Sequence, residues 1–336
     1  MRFKNVYFTF FAFLAVACST PKYFGIDYHV HITSQEMAKE MEKLCGTVLM
    51  CPDGKMPHSN ANEIEKSLDS TIFNRAVVLS GAYFAGMPEM ELDIETQRKL
   101  TRSENEFIAH QVSSSEKMYG FFSINPLAEY AAEESRYWVD SGKFHGIKLH
   151  FGNSNFDYRN ANHIKKMQDL LKLIDSSSMY VMLHGRTRNP EFGKEDMDIL
   201  INEIIPYAPE TTWILAHAGG WGGYDDATDA ALTTIIDALN SNKLDKSKIY
   251  IDLSAIVVPE SDKKNYPISR DTLENQTRNF INRFHTLDNE NWIFGSDWVP
   301  NENDLEPYYY FNELMRAGLN EQELKRIISN KLDFIE

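Results

Sequence analysis

Eight short apolar runs, each followed by a stretch with helical spacing, constrain this chain more than any other feature of its sequence. They lie at residues 25–32, 75–80, 120–124, 146–150, 180–184, 213–217, 249–254 and 291–295. Strands that alternate with helices build parallel sheets, because a parallel pair needs a long crossover between its strands. Eight such units close a (β/α)8 barrel. The expected fold is therefore α/β, a single-domain TIM barrel over residues 24–336. The helical stretches agree with this: 162–176 sets Ile164, Met167, Leu170, Leu171 and Ile174 on one face. Residues 95–116, 129–141, 196–207, 226–240 and 271–284 continue the series, and the tail over 320–335 reads as one more helix docked on the barrel wall. With 336 residues, 43% of them hydrophobic, the chain can fill one large core.

Two segments depart from the alternation. Residues 33–74 carry no strong periodic pattern, and turn residues such as Pro52, Gly54 and Pro57 punctuate them. An excursion of that length leaving the first strand would lie beside a barrel's active site and act as a lid. The other segment is the N-terminus. Arg2 and Lys4 precede an apolar run from Val6 to Ala17, which at 12 residues is shorter than the ~20 a membrane span needs. The run ends in Ala15-Val16-Ala17-Cys18, which is similar to a bacterial lipobox, with Ala15 where leucine is usual. Residues 1–18 are thus expected to be a signal peptide. Cys18 is the expected lipidation site, and the product an exported lipoprotein of the periplasm or cell envelope. Cleavage removes two positive charges and takes the formal net charge from −15 to −17. Such a surface is a poor match for nucleic acid or anionic lipid, so the expected partner is a small-molecule substrate and the expected membrane contact only a lipid anchor. A homo-oligomer is left open. After cleavage Cys45 and Cys51 remain, either as a disulfide of an exported protein or as two free thiols.

The strand ends carry the chemistry. The first run is Gly25-Ile26-Asp27-Tyr28-His29-Val30-His31, and its alternation puts Asp27, His29 and His31 on one face. Two imidazoles so placed can converge on one ion. Lys148 and His150 end the fourth run, His184 the fifth and His217 the sixth. Asp252 and Ser254 share a face on the seventh, and Asp297 follows the eighth. Five of the ten histidines fall at strand ends, where barrels of this kind build their sites. There is no P-loop, dinucleotide fingerprint or serine-nucleophile elbow.

In order and spacing these motifs (His29-x-His31, Gly146-Ile-Lys-Leu-His150, His184-Gly185, His217-Ala-Gly-Gly220 and Phe294-Gly-Ser-Asp-Trp298) the chain resembles the amidohydrolase superfamily, in its amidohydrolase-related branch of metal-dependent hydrolases and decarboxylases. The resemblance implies that His29, His31, His184 and Asp297 bind one divalent metal ion, most often zinc. It implies Asp297 as the acceptor of a water proton and His217 as the acid/base or carbonyl-polarising group. Asp27 would stand behind the ligands or pack in the core. Lys148, with His150 and with Arg186 and Arg188 just past His184, would bind a substrate carboxylate. A second reading has Lys148 carbamylated and bridging two metals. Trp221, Trp298 and Tyr224 line a pocket or pack the rim. The function expected first is hydrolysis of a lactone, ester or amide of a small carboxylated molecule. The alternatives are non-oxidative decarboxylation on the same ligands, or a non-catalytic ligand-binding lipoprotein.

Overall fold

The computed structural model describes residues 24–49, 51, 54–264, 266–299 and 307–335. The expected signal peptide and Cys18 lie outside the described residues. Eight strands pair in parallel in chain order: β1 Gly25–His31, β2 Phe73–Leu79, β3 Met118–Ser123, β4 Gly146–His150, β5 Tyr180–His184, β6 Trp213–Leu215, β7 Ile249–Asp252 and β8 Trp292–Ile293. Tyr28 N donates to Phe294 O at 2.9 Å and His31 N to Trp298 O at 2.8 Å, which closes the seam between β8 and β1. The expected TIM barrel is the observed fold.

Period-two burial sorts each strand. On β5, Val181 and Leu183 pack toward the helices, whereas Met182 joins Val77, Phe121, Ile214 and Ile293 in a separate inner cluster. His184 shares the parity of Met182 and so stands above that cluster, at the C-terminal mouth.

The surrounding helices are α1 Gln35–Met41, α2 Ala61–Ser70, α3 Ile94–Val112, α4 Ala131–Ser141, α5 Ala161–Asp175, α6 Lys194–Ile199, α7 Asp226–Asn240, α8 Arg270–Phe284, α9 Pro307–Ala317 and α10 Glu321–Ser329. All five apolar residues expected on one face of α5 are buried, and Asn160 caps its start by accepting from Asn162 N. Helix α6 is shorter than the expected 196–207. It passes into a π turn at Leu200–Ile204 and a 3-10 turn at Ile205–Tyr207, where Pro206 supplies no N–H. The tail helix stops at Ser329, and the chain beyond it turns under the barrel.

The segment over 33–74 is more ordered than its pattern suggests. Ser34 caps α1, and Asn60 with Glu63 forms a capping box on α2. Cys45 and Cys51 form a disulfide in the stretch between these helices. Around it, Met37, Met41, Ala85 and Leu100 make a small apolar cluster of their own, with Met56 and Phe84 against it.

Candidate active site

Strand geometry delivers the expected side chains to one place. His29, His31, Lys148, His150, His184, His217 and Asp297 all line a cavity of about 260 Å³ at the C-terminal mouth, with Met41, Met56 and Pro57 of the β1–β2 excursion forming a wall. Two of these residues arrive by leaving the strand. His217 has φ 53° and Asp297 φ 60°, left-handed conformations that non-glycine residues adopt at a cost of ~1–2 kcal/mol. The turn at His217 falls inside the sixth apolar run, and β6 ends before it at Leu215. The turn at Asp297 is held by Asp27, which accepts from Ser296 N at 3.0 Å, Ser296 Oγ at 2.6 Å and His29 N at 3.1 Å. Asp27 thus fixes backbone and does not meet an imidazole of the cluster. At Gly295 a Cβ would collide with Asp252 Oδ1 and approach His29 Cβ to 2.7 Å, so the close crossing of β8 over the site needs glycine.

Hydrogen bonds behind the rings set the tautomers. His29 Nδ1 lies 2.5 Å from Asp252 Oδ2. Asp252 also accepts from Ser254 N at 2.5 Å and Ser254 Oγ at 2.8 Å, which marks it as the acceptor. His31 Nδ1 faces Leu79 O at 3.2 Å and His217 Nδ1 faces Ser254 O at 3.0 Å. A carbonyl oxygen only accepts, so in all three rings Nδ1 carries the hydrogen and Nε2 a lone pair. His29 Nε2 and His31 Nε2 are 3.2 Å apart, and Asp297 Oδ1 is 3.3 Å and 3.5 Å from them. Two lone pairs and a carboxylate oxygen facing one another repel unless a cation lies among them. His184 Nε2, buried and without a partner, is consistent with the same need. The donor set therefore fits a divalent ion.

His29, His217 and Asp297 also form a group, with ligand atoms all within 4.8 Å of one another. The sequence expectation set His217 apart as the acid/base and named His184 as a ligand. His184 stacks on His150 at 3.8 Å and meets the His217 ring at 5.0 Å, beside that group.

The electrostatics suit neutral ligands. Burial, then the Lys148 charge, holds His29 well below its ordinary pKa and brings His217 to about 3. Burial takes His31 to about 4. Burial also raises Asp297 and lifts Asp252 to about 7. Lys148 Nζ, 3.3 Å from His29 Nε2, is brought down to about 8 by burial.

Arg186 does not join Lys148. Its guanidinium is held by both oxygens of Asp225 at 2.8 Å and by Thr228 Oγ1 at 3.1 Å, because Asp225 caps α7 directly behind it. Arg188 is paired with Glu89 and donates to Asn153 Oδ1 at 3.2 Å. Among the described residues, Lys148 is the lysine or arginine that lines the cavity. His150 is in the cavity wall, and Asn153 N donates to its Nδ1 at 3.1 Å. Trp221 also lines the cavity, packing edge-on against His184 at 4.9 Å, and a Cβ at Gly152 would collide with its ring. Trp298 borders an adjoining cavity. Tyr224 is buried against Phe280, its hydroxyl donating to Asp229 at 2.7 Å, and serves the rim.

The sequence matches the amidohydrolase family over residues 26–330. The chain belongs to that family. Comparison with curated proteins gives no match. Solved structures similar to this family member include 5-carboxyvanillate decarboxylase of Sphingomonas paucimobilis, with TM-score 0.61, 14% identity and coverage of 91% of this chain and 96% of that one. A dihydroxybenzoic acid decarboxylase of Polaromonas, solved with manganese and 2-nitroresorcinol, has TM-score 0.59 and 16% identity, covering 90% and 94%. An amidohydrolase of Burkholderia multivorans with bound zinc has TM-score 0.58 and 11% identity, covering 90% and 95%. The site of this amidohydrolase-family member has two residues to which no role was given from sequence, Asp252 and Ser254. Their shared face on β7 was visible, but a carboxylate on a strand is equally a packed core residue until its neighbour across the barrel is known.

Proposed function

We propose that this protein is a metal-dependent hydrolase acting on a lactone, ester or amide of a small carboxylated molecule. The observation that supports this most is the convergence of His29 Nε2, His31 Nε2 and Asp297 Oδ1 beside the lone pair of His217 Nε2. In our reading His29, His31 and Asp297 hold one divalent ion, zinc, with His184 completing the set. When bound, the ion supplies Lewis acidity toward a carbonyl oxygen or a water. The other steps belong to the chain. The Lys148 ammonium binds the substrate carboxylate, and His150 donates from Nε2 because Nδ1 is engaged. Asp297, partly open to the cavity, accepts the proton of the attacking water. His217, neutral with Nε2 unprotonated, takes up a proton before it can give one to the leaving group. The buried walls lower the local polarity and strengthen each of these contacts.

A second reading, decarboxylation, is favoured by the likeness to two decarboxylases, and the same residues serve it. Product analysis separates the two. The zinc-loaded protein is incubated with lactones, esters and aromatic carboxylates in ¹⁸O-water. Label in a product carboxylate supports hydrolysis, and release of carbon dioxide with no labelled product carboxylate replaces it with decarboxylation. Full activity after exhaustive chelation would remove the metal from either reading. We also propose that the protein is exported and anchored through Cys18. In that case Cys18→Ser moves it from the membrane fraction to the soluble one, and a soluble wild type overturns the anchor.

A further inference from the structure

Two cavities meet at Asp297 and Val299, and their chemistries differ. The first holds the histidines and Lys148. The second, of about 340 Å³, is walled by Val257, Val258, Pro259, Trp298 and Tyr310. Tyr310 contributes only its ring: the hydroxyl donates to Leu253 O at 2.8 Å and accepts from Ile256 N at 2.9 Å and Val257 N at 3.3 Å. Gly222 and Gly223, at φ 130° and 73°, add no side chain, and a Cβ at Gly223 would meet the Tyr266 hydroxyl at 3.4 Å. Among the described residues that line this chamber the charged ones are Asp262 and Asp297. The described lining offers an anion no cation, and it offers apolar groups a mostly apolar wall.

We propose that the second chamber binds an uncharged apolar tail of the substrate, whose carboxylated head lies against Lys148, so that the bond acted on sits over Asp297. The inference rests on the carboxylated substrate proposed above and adds its other end. A molecule confined to the first chamber would leave the second empty. One with two parts joined at an ester or amide occupies both, with Asp297 at the junction.

The test is calorimetric binding of the straight-chain carboxylates from butanoate to octanoate to the zinc-loaded full chain. Each methylene that enters the chamber should tighten binding roughly two- to fourfold. Val258→Trp, which fills the chamber, should flatten the series and leave butanoate unchanged. Val258→Asp should flatten it by charge instead of bulk, and unchanged butanoate binding in either variant shows that the fold is intact. A flat series in the wild type, or a slope that survives both variants, overturns the proposal while leaving the carboxylate site standing. Failure of every acid to bind, butanoate included, overturns the carboxylated-substrate reading and the tail site with it.

Discussion

At the residue scale, what matters most about His29 is the group behind it. Asp252 holds its Nδ1 at 2.5 Å and so keeps Nε2 unprotonated and aimed at the cluster. Asp252→Asn offers an amide in place of the carboxylate and weakens that control. Metal affinity is expected to fall by about 10–100-fold, as for other carboxylate–histidine pairs, while the fold stays intact. Metal titration followed by thermal unfolding checks both halves. His31→Ala removes one of the converging lone pairs and should lose metal and activity together. His217→Asn is expected to keep the ion, since His29, His31 and Asp297 remain, and to lose turnover by roughly 10²–10⁴-fold as an acid/base. Metal analysis of the His217 variant decides its role, because loss of the ion would make His217 a ligand.

At the scale of elements, α3 anchors the start of α1 through a buried acid. Ser34 N lies 3.3 Å from both Glu104 oxygens, and Ser34 Oγ donates to the same carboxyl. Burial pushes the Glu104 carboxyl from 4.5 up to about 7. Between those values the folded protein holds a proton that the unfolded chain has released. Stability from this group is therefore full at acidic pH and is lost as pH rises through about 7. Glu104→Gln should remove that dependence. Melting temperatures at pH 5 and pH 8 are expected to differ less in the variant than in the wild type, and an unchanged difference would rule Glu104 out as its source. Because Ser34 follows His31 by three residues, this contact also steadies the exit of β1 from the site.

For the molecule as a whole, the C-terminus completes the barrel. Beyond α10, Leu332 and Ile335 are buried in the inner cluster with Ile26, Val77 and Phe121. Tyr28 locks them there: its hydroxyl donates to Asn330 O at 3.0 Å and accepts from Leu332 N at 2.9 Å. The tail thus stoppers the end of the barrel opposite the site, a role beyond docking on its outer wall. Leu332→Ala should cost about 2–5 kcal/mol, the usual range for a buried leucine. It should appear as a lower denaturant midpoint with unchanged slope and with metal binding retained, since the cluster lies at the far end.

The strand order and the ring of histidines were legible because both are local. Apolar period and strand-end position depend on neighbours a few residues away, and the barrel converts strand ends into one site. Helices α1 and α2 were not legible: short elements carry few apolar repeats, and their caps, Ser34 and Asn60, look like loop residues until the helix follows. The pairing of Cys45 with Cys51 was left open by composition and settled by proximity. The pairing of Arg186 with Asp225 was not legible, because a guanidinium beside a site reads the same whichever partner it meets, and only the approach of α7 supplies Asp225. The tautomers of His29, His31 and His217 were set by Asp252, Leu79 and Ser254. Those partners lie 37 to 223 positions away in sequence. Sequence alone determined which side chains reach the mouth of the barrel. The closing of the sheet decided which lone pairs face one another there, because hydrogen-bond direction depends on partners that only the folded chain brings together.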